Sequence, residues 1–197
     1  IAAVSNELKI KSTIIMPKDA PRLKINNTLS YGADVVFYYR IKESREEIGE
    51  KLQKEKNLKL IRPYDDPFVI AGQGSLGIEL INQAKMMKLD TADVLVCCGG
   101  GGLASGVSLA FQELSEGFKV RTCEPENFDD MARSLKQKSR VTNKAMDGSI
   151  CDAILTPTPG ELTFEILEKY AAPGLVASDE QVLEPMALLF LHHNLVV

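Results

Sequence analysis

The stretch DVLVCCGGGGLASGVSLAF, residues 93–111, decides how the chain reads. Asp93 to Cys97 is a short, β-branched apolar run of the length of a buried strand, and Leu103, Val107, Ala110, Phe111 and Leu114 recur at helical spacing. Between them stand Gly99, Gly100, Gly101 and Gly102. A tight strand-to-helix turn needs one or two glycines, and each further one costs conformational entropy. Four in succession suit a loop whose backbone approaches an anion, with the free amides and dipole of the following helix behind it.

Working outward, similar apolar runs at Ser12 to Met16, Asp34 to Tyr38 and Phe118 to Thr122 are each followed by a longer helical pattern. Alternating β and α predicts an α/β fold of parallel sheets flanked by helices. Gly32 is the expected left-handed residue closing the first of these helices. Ser44 to Glu47 forms a capping box for a helix from about Glu43 to Asn57, whose many charges form a solvated face. Further helices are expected from Val69 to Met87 and as a short one within Asp129 to Ala145. Ser178 to Gln181 is a second capping box, opening a final helix with Val182, Met186, Leu189 and Phe190 inward. The RPYDDP segment, 62–67, is rigid and polar. The domain boundary is placed there, giving residues 1–66 as part of a small α/β domain and 67–197 as part of a larger one.

Composition limits the function. With 197 residues, 45% of them hydrophobic and 25% charged, the chain can bury a core and is not a disordered segment. Its net charge of −4 comes with scattered Lys and Arg, leaving no basic stripe for nucleic acid. No apolar run approaches the roughly 20 residues of a membrane helix, and the opening IAAVSNELK is not a secretory leader. A cytoplasmic protein is expected. Cys97, Cys98, Cys123 and Cys151 contain no C-x-x-C pair and read as reduced, mostly buried thiols. His192 and His193 have no nucleophile to serve. The chain lacks an initiator Met and a polar tail, so it is expected to be a piece of a longer protein.

The chemistry of the glycine loop leaves two readings. A Walker A loop needs Lys and Ser or Thr after its last glycine, but Val107 follows Gly106. Gly99, Gly101 and Ala104 do fit G-x-G-x-x-A, and Glu124 follows about 20 residues later, as in a dinucleotide-binding oxidoreductase. After the next strand, Glu124, Glu126, Asp129 and Asp130 pack four carboxylates into seven residues. They can hold Mg²⁺ or Ca²⁺, or cap the following helix.

Taken together, IIMPKDAPRLK (14–24), YGADVVFY (31–38), ESREEIGEK (43–51), PYDDPFVIAGQGSLGIEL (63–80), GGGGLASG (99–106), EPENFDD (124–130), SICDAILTPTPGELTF (149–164) and HHNLVV (192–197) resemble the threonine dehydratase and serine racemase family of pyridoxal-phosphate enzymes. The CDAILTPTPGELTF form is similar to the bacterial threonine or hydroxyaspartate ammonia-lyase branch. The resemblance implies a two-domain, type II fold, incomplete at both ends. It implies that Gly99, Gly100, Gly101, Gly102 and Leu103 give backbone amides to the phosphate of pyridoxal 5′-phosphate, displacing the dinucleotide reading. Glu124, the carbonyl of Phe128 and Asp130 fall where family members bind a divalent cation. Asp152 matches an acid near the cofactor, but Cys151 and Ala153 replace its usual neighbours, and it is left out of the site.

No catalytic residue is assigned. The family's Schiff-base Lys lies in an S-F-K-x-R-G segment upstream of the residues matching Ile1 onward, and the Ser meeting the pyridine nitrogen would lie beyond Val197. The expected function is that of an ammonia-lyase which, when complete, converts a threonine- or serine-like hydroxy amino acid to a keto acid and ammonia. The chain alone is expected to be inactive, and the resemblance implies a homo-oligomer. A non-catalytic ligand-binding module, argued from the missing Lys, is the alternative.

Overall fold

The computed structural model describes residues 1–40, 42–145 and 147–196, which form two compact units, Ile1–Ile61 and Arg62–Val197. The first unit opens with α1 (Ala2–Glu7) and then builds a β-α-β crossover from β1 (Thr13–Pro17), α2 (Arg22–Ser30) and β2 (Asp34–Tyr38). The strands pair in parallel from Thr13 opposite Asp34 to Pro17 opposite Tyr38. Gly32 stops α2 with a φ of +76°, the left-handed angle that a side chain disfavours. In α3 (Arg45–Lys56) the Ser44 hydroxyl accepts the Glu47 amide at 3.2 Å, and Asn57 closes the helix in the left-handed conformation. Ile48, Gly49 and Leu52 turn inward while the charged residues between them stay largely in solvent.

The second unit holds a parallel sheet of order β3-β4-β5, formed by Ala92–Cys97, Phe118–Pro125 and Ala172–Ala177. Around it run α4 (Pro67–Met86), α5 (Gly102–Leu114), α6 (Asp130–Gln137), α7 (Glu161–Tyr170) and α8 (Asp179–His193), with a 3₁₀ turn at Asp152–Ile154. Ala92 lies opposite Phe118 and Cys97 opposite Cys123, so β3 and β4 start level and β4 runs on through Glu124 and Pro125. Val96, Ala104, Val107, Phe111, Val120, Met131 and Leu167 form the centre of the core. Sequence spacing did not indicate β5, because APGLVA carries Pro173 and Gly174. Pro173 is tolerated at a sheet edge, where its missing N–H breaks no ladder, and a side chain at Gly174 would start 2.5 Å from Thr122 Oγ1.

Three expectations change. Arg62 to Asp66, assigned above to the first domain, belongs to the second unit, because Asp65 bonds amides of α7 and Asp66 caps α4 through Phe68 and Val69 at 2.8 and 3.2 Å. The final helix does carry its full capping box at Ser178 and Gln181, but Phe190, expected inward, is 57% exposed. The four cysteines are free thiols as expected, yet only Cys98 is buried; Cys97 is exposed at the end of β3, and Cys123 and Cys151 are half-buried.

Helices α4 and α5 lie backbone against backbone. A methyl group at Gly106 would sit 2.4 Å from the Ile70 carbonyl oxygen and 2.6 Å from the Gly74 nitrogen, and one at Gly77 would meet Ala110 Cβ at 2.7 Å. Neither neighbour is a flexible side-chain tip. Gly106→Ala should therefore destabilise the protein by about 1–3 kcal/mol through overpacking. Gly72→Ala, which meets nothing within 4 Å, should be neutral or slightly stabilising. Urea denaturation of the two variants checks this; equal midpoints would contradict the packing account.

Candidate functional site

Where β3 and β4 end, the chain places its glycine loop and its acidic cluster side by side. The Cys98 amide donates to the Cys123 carbonyl at 2.9 Å, carrying the strand pairing one residue further, and the four glycines follow. Gly101 has a φ of +93° and serves as the N-cap of α5. In the sequence, absent side chains leave room for an anion to approach. The structure adds that the space beside each glycine is occupied by the protein itself. A Cβ would meet Thr156 at Gly99, the Tyr64 ring at Gly100, Met131 and Thr163 at Gly101, and Tyr64 again at Gly102. The loop is thus a backbone ribbon clamped between side chains.

The opposite requirement, free donors, is also met. No side chain caps α5, so the first-turn amides of Gly102, Leu103 and Ala104 face no intrahelical acceptor and the helix dipole is unopposed. The carbonyl of Gly100 is taken: it accepts the Thr163 hydroxyl at 2.6 Å and the Gly160 amide at 3.3 Å. Thr163 is fully buried, and its own carbonyl accepts the Ser105 hydroxyl at 3.3 Å. This donor set, the first-turn amides of α5, fits a dianionic phosphate such as that of pyridoxal 5′-phosphate. Tyr64, Thr156 and Thr163 were not found by sequence reasoning. Their signal was faint: Thr156 and Thr163 sit in the quoted TPTPGELT run and Tyr64 in RPYDDP, without spacing that links either to the loop.

In the acidic cluster the residues divide. Glu124 is 2% exposed, and its carboxylate accepts the amides of Met131 at 2.8 Å and Ala132 at 2.7 Å, capping α6 in place of Asp129. Asp130 is 1% exposed; Oδ1 accepts the Asn143 amide group at 2.7 Å, while Oδ2 is buried without a hydrogen-bond partner. Burial pushes the Glu124 carboxyl up to about 8 against the pull of the Met131 and Ala132 amides. Burial likewise raises Asp130 to about 6, against the Asn143 hydrogen bond. Asp129 pairs with Arg133 at 3.1 Å in a half-buried salt bridge. Phe128 is buried, its amide donating to the Pro125 carbonyl at 3.0 Å. Among the described residues no three His, Cys, Asp or Glu side chains gather around a point. A cation here would rest on two carboxylates and the Phe128 carbonyl.

The dinucleotide reading loses its second support in this geometry. Glu124 is 2% exposed, so a ribose hydroxyl in solvent does not reach it. His192 and His193 lie exposed at the end of α8, away from any cluster. Among the described residues no helix is long and apolar enough to cross a membrane.

Known proteins resemble the chain over its whole length. It is 39% identical over 189 residues to an L-threo-3-hydroxyaspartate ammonia-lyase of Saccharomyces cerevisiae, covering 96% of this chain and 56% of the relative. It is 34% identical over 193 residues to an L-threonine ammonia-lyase of Thermotoga maritima, covering 97% and 46%. The chain thus spans about half the length of the curated relatives it matches. Among solved structures, a threonine deaminase of T.th. superposes with a TM-score of 0.90 at 38% identity, covering all of this chain and 63% of that one. The α/β architecture of parallel sheets flanked by helices is that of type II pyridoxal-phosphate enzymes. With residues 1–197 all matched, the chain belongs to the pyridoxal-phosphate dependent enzyme family.

Proposed function

We propose that this protein serves the β-elimination of a small hydroxy amino acid, threonine, serine or 3-hydroxyaspartate, to a keto acid and ammonia, and that Gly99, Gly100, Gly101, Gly102 and Leu103 hold the phosphate of its cofactor. The observation that carries the reading is the uncapped N-terminus of α5 directly behind a loop whose Gly100 carbonyl is held by Thr163. The ammonia-lyase names of the relatives support the reaction class. When bound, pyridoxal phosphate supplies an electron sink for the substrate α-carbon. This chain's own part is binding and orientation. The amides of the α5 first turn neutralise phosphate charge, Tyr64 and Thr163 keep the loop from rotating, and the end of β3, opposite Cys123, sets the loop beside Glu124 of β4.

The acidic cluster has a separate role in this reading: Glu124, the Phe128 carbonyl and Asp130 bind Mg²⁺ or Ca²⁺ as a structural ion. Support comes from Asp130 Oδ2, a buried acceptor with no partner. An unpartnered buried acceptor is costly, and a hard cation with oxygen ligands would satisfy it. Glu124 can cap α6 and still offer its remaining lone pairs.

Two measurements test these assignments. Equilibrium dialysis should show binding of pyridoxal phosphate and none of NAD, and Gly101→Val should abolish the former. A Cβ there starts 2.7 Å from Met131 Cε and demands a left-handed backbone at a β-branched residue. Unchanged affinity in the variant would remove the loop from the site. For the cation, melting temperatures are compared in Mg²⁺ or Ca²⁺ and in chelator. Wild type should gain stability, by about 2.7 kcal/mol at a hundredfold excess over Kd, and Asp130→Asn should lose that gain. A shift that survives the substitution, or none in wild type, would leave these acids as helix caps.

A further inference from the structure

We infer that Asp65 is a positioning residue for phosphate binding, acting through the first turn of α7 and the Gly100 carbonyl on the Gly101 amide. The inference rests on the reading of the glycine loop given above. Helix α7 begins at Glu161 behind Gly160, an N-cap residue with no side chain to offer. Its amides are instead taken by a carboxylate far away in sequence. Asp65 Oδ2 accepts from Glu161 at 3.1 Å, and Oδ1 accepts from Leu162 at 3.0 Å and Thr163 at 3.4 Å. Such a carboxylate on the positive end of a helix makes charge-assisted bonds that also oppose the dipole. The glycine at 160 is what allows it, since a Cβ there would begin 2.3 Å from Asp65 Oδ1.

The turn that Asp65 holds is the turn that holds the loop. Thr163 and Gly160, two residues of that same turn, both donate to the Gly100 carbonyl. A planar trans peptide points its carbonyl and the next residue's N–H in opposite directions. With the Gly100 carbonyl turned toward α7, the Gly101 N–H is turned away from it. Rotating that peptide to withdraw the amide would break both hydrogen bonds to the Gly100 carbonyl. Tyr64, the residue before Asp65, packs under Gly100 and Gly102, so the same short segment braces the loop directly as well. Asp66 differs: it caps its own helix α4 through Phe68 and Val69. Asp65 has a second effect on recognition. It fills the amides of α7 and leaves those of α5 as the open anion-binding helix end.

A helix cap with no further role would change stability and leave ligand selectivity alone, which sets the experiment. Equilibrium dialysis of the full chain measures affinity for pyridoxal 5′-phosphate and for pyridoxal, which lacks the phosphate, in wild type, Asp65→Ala and Asp65→Asn. Asp65→Ala should weaken pyridoxal phosphate about tenfold, the worth of one misdirected donor to a charged group, with pyridoxal unchanged. Asp65→Asn keeps an accepting oxygen and should recover most of that loss. Thr163→Val removes the hydroxyl on the Gly100 carbonyl without touching the cap, and should reproduce the selective loss even where Asp65→Ala does not fold. If wild type prefers the phosphorylated ligand and all variants keep that preference, the Asp65 role is wrong and the loop reading stands. If wild type itself shows no preference, the loop reading fails and this inference with it.

Discussion

The hydrogen bond from the Thr163 hydroxyl to the Gly100 carbonyl, 2.6 Å long and sealed from water, ties together the parts on which the site depends. Glycine runs are floppy in isolation, and a floppy loop would have to be ordered each time an anion bound. Here the ordering is done during folding. Tyr64, Thr156, Thr163 and Met131 fill the places where side chains would stand, so the ribbon has one path through them. What remains free is the end of α5, and preorganised amides at a helix N-terminus are an anion site.

That arrangement explains why the parallel sheet matters beyond its core. Cys97 lies opposite Cys123, so one strand delivers the glycine loop and its neighbour delivers Glu124 at the same level. Glu124 caps α6, and α6 in turn supplies Met131 beneath Gly101. The acidic cluster and the loop are therefore mechanically joined through one short helix. A cation bound beside Asp130 would stiffen the floor of the loop without touching the reacting atoms.

Much of this was legible in the residues alone. Strand-length apolar runs, the turn signal at Gly32, the caps at Ser44 and Ser178 and the glycine loop all depend on neighbours within a few positions, where sequence patterns carry information. β5 escaped because its Pro173 and Gly174 contradict strand propensity, and only tertiary contact with β4 and Ala132 makes them acceptable. Phe190 was assigned inward by spacing, but spacing gives a face and does not say what covers it. Asp65 and Thr163, 98 positions apart, were joined by no pattern at all. Two neighbouring acids, Asp65 and Asp66, look interchangeable in sequence and serve different helices in space.

The central claim is that the end of α5, and not that of α7, receives the phosphate. Titrating the chain with inorganic phosphate while following backbone amide resonances tests it most directly. The account predicts the largest shifts at Gly101, Gly102 and Leu103, with the amides of Glu161, Leu162 and Thr163 held by Asp65 and little changed. Shifts centred on the α7 amides, or spread evenly over surface lysines, would contradict it.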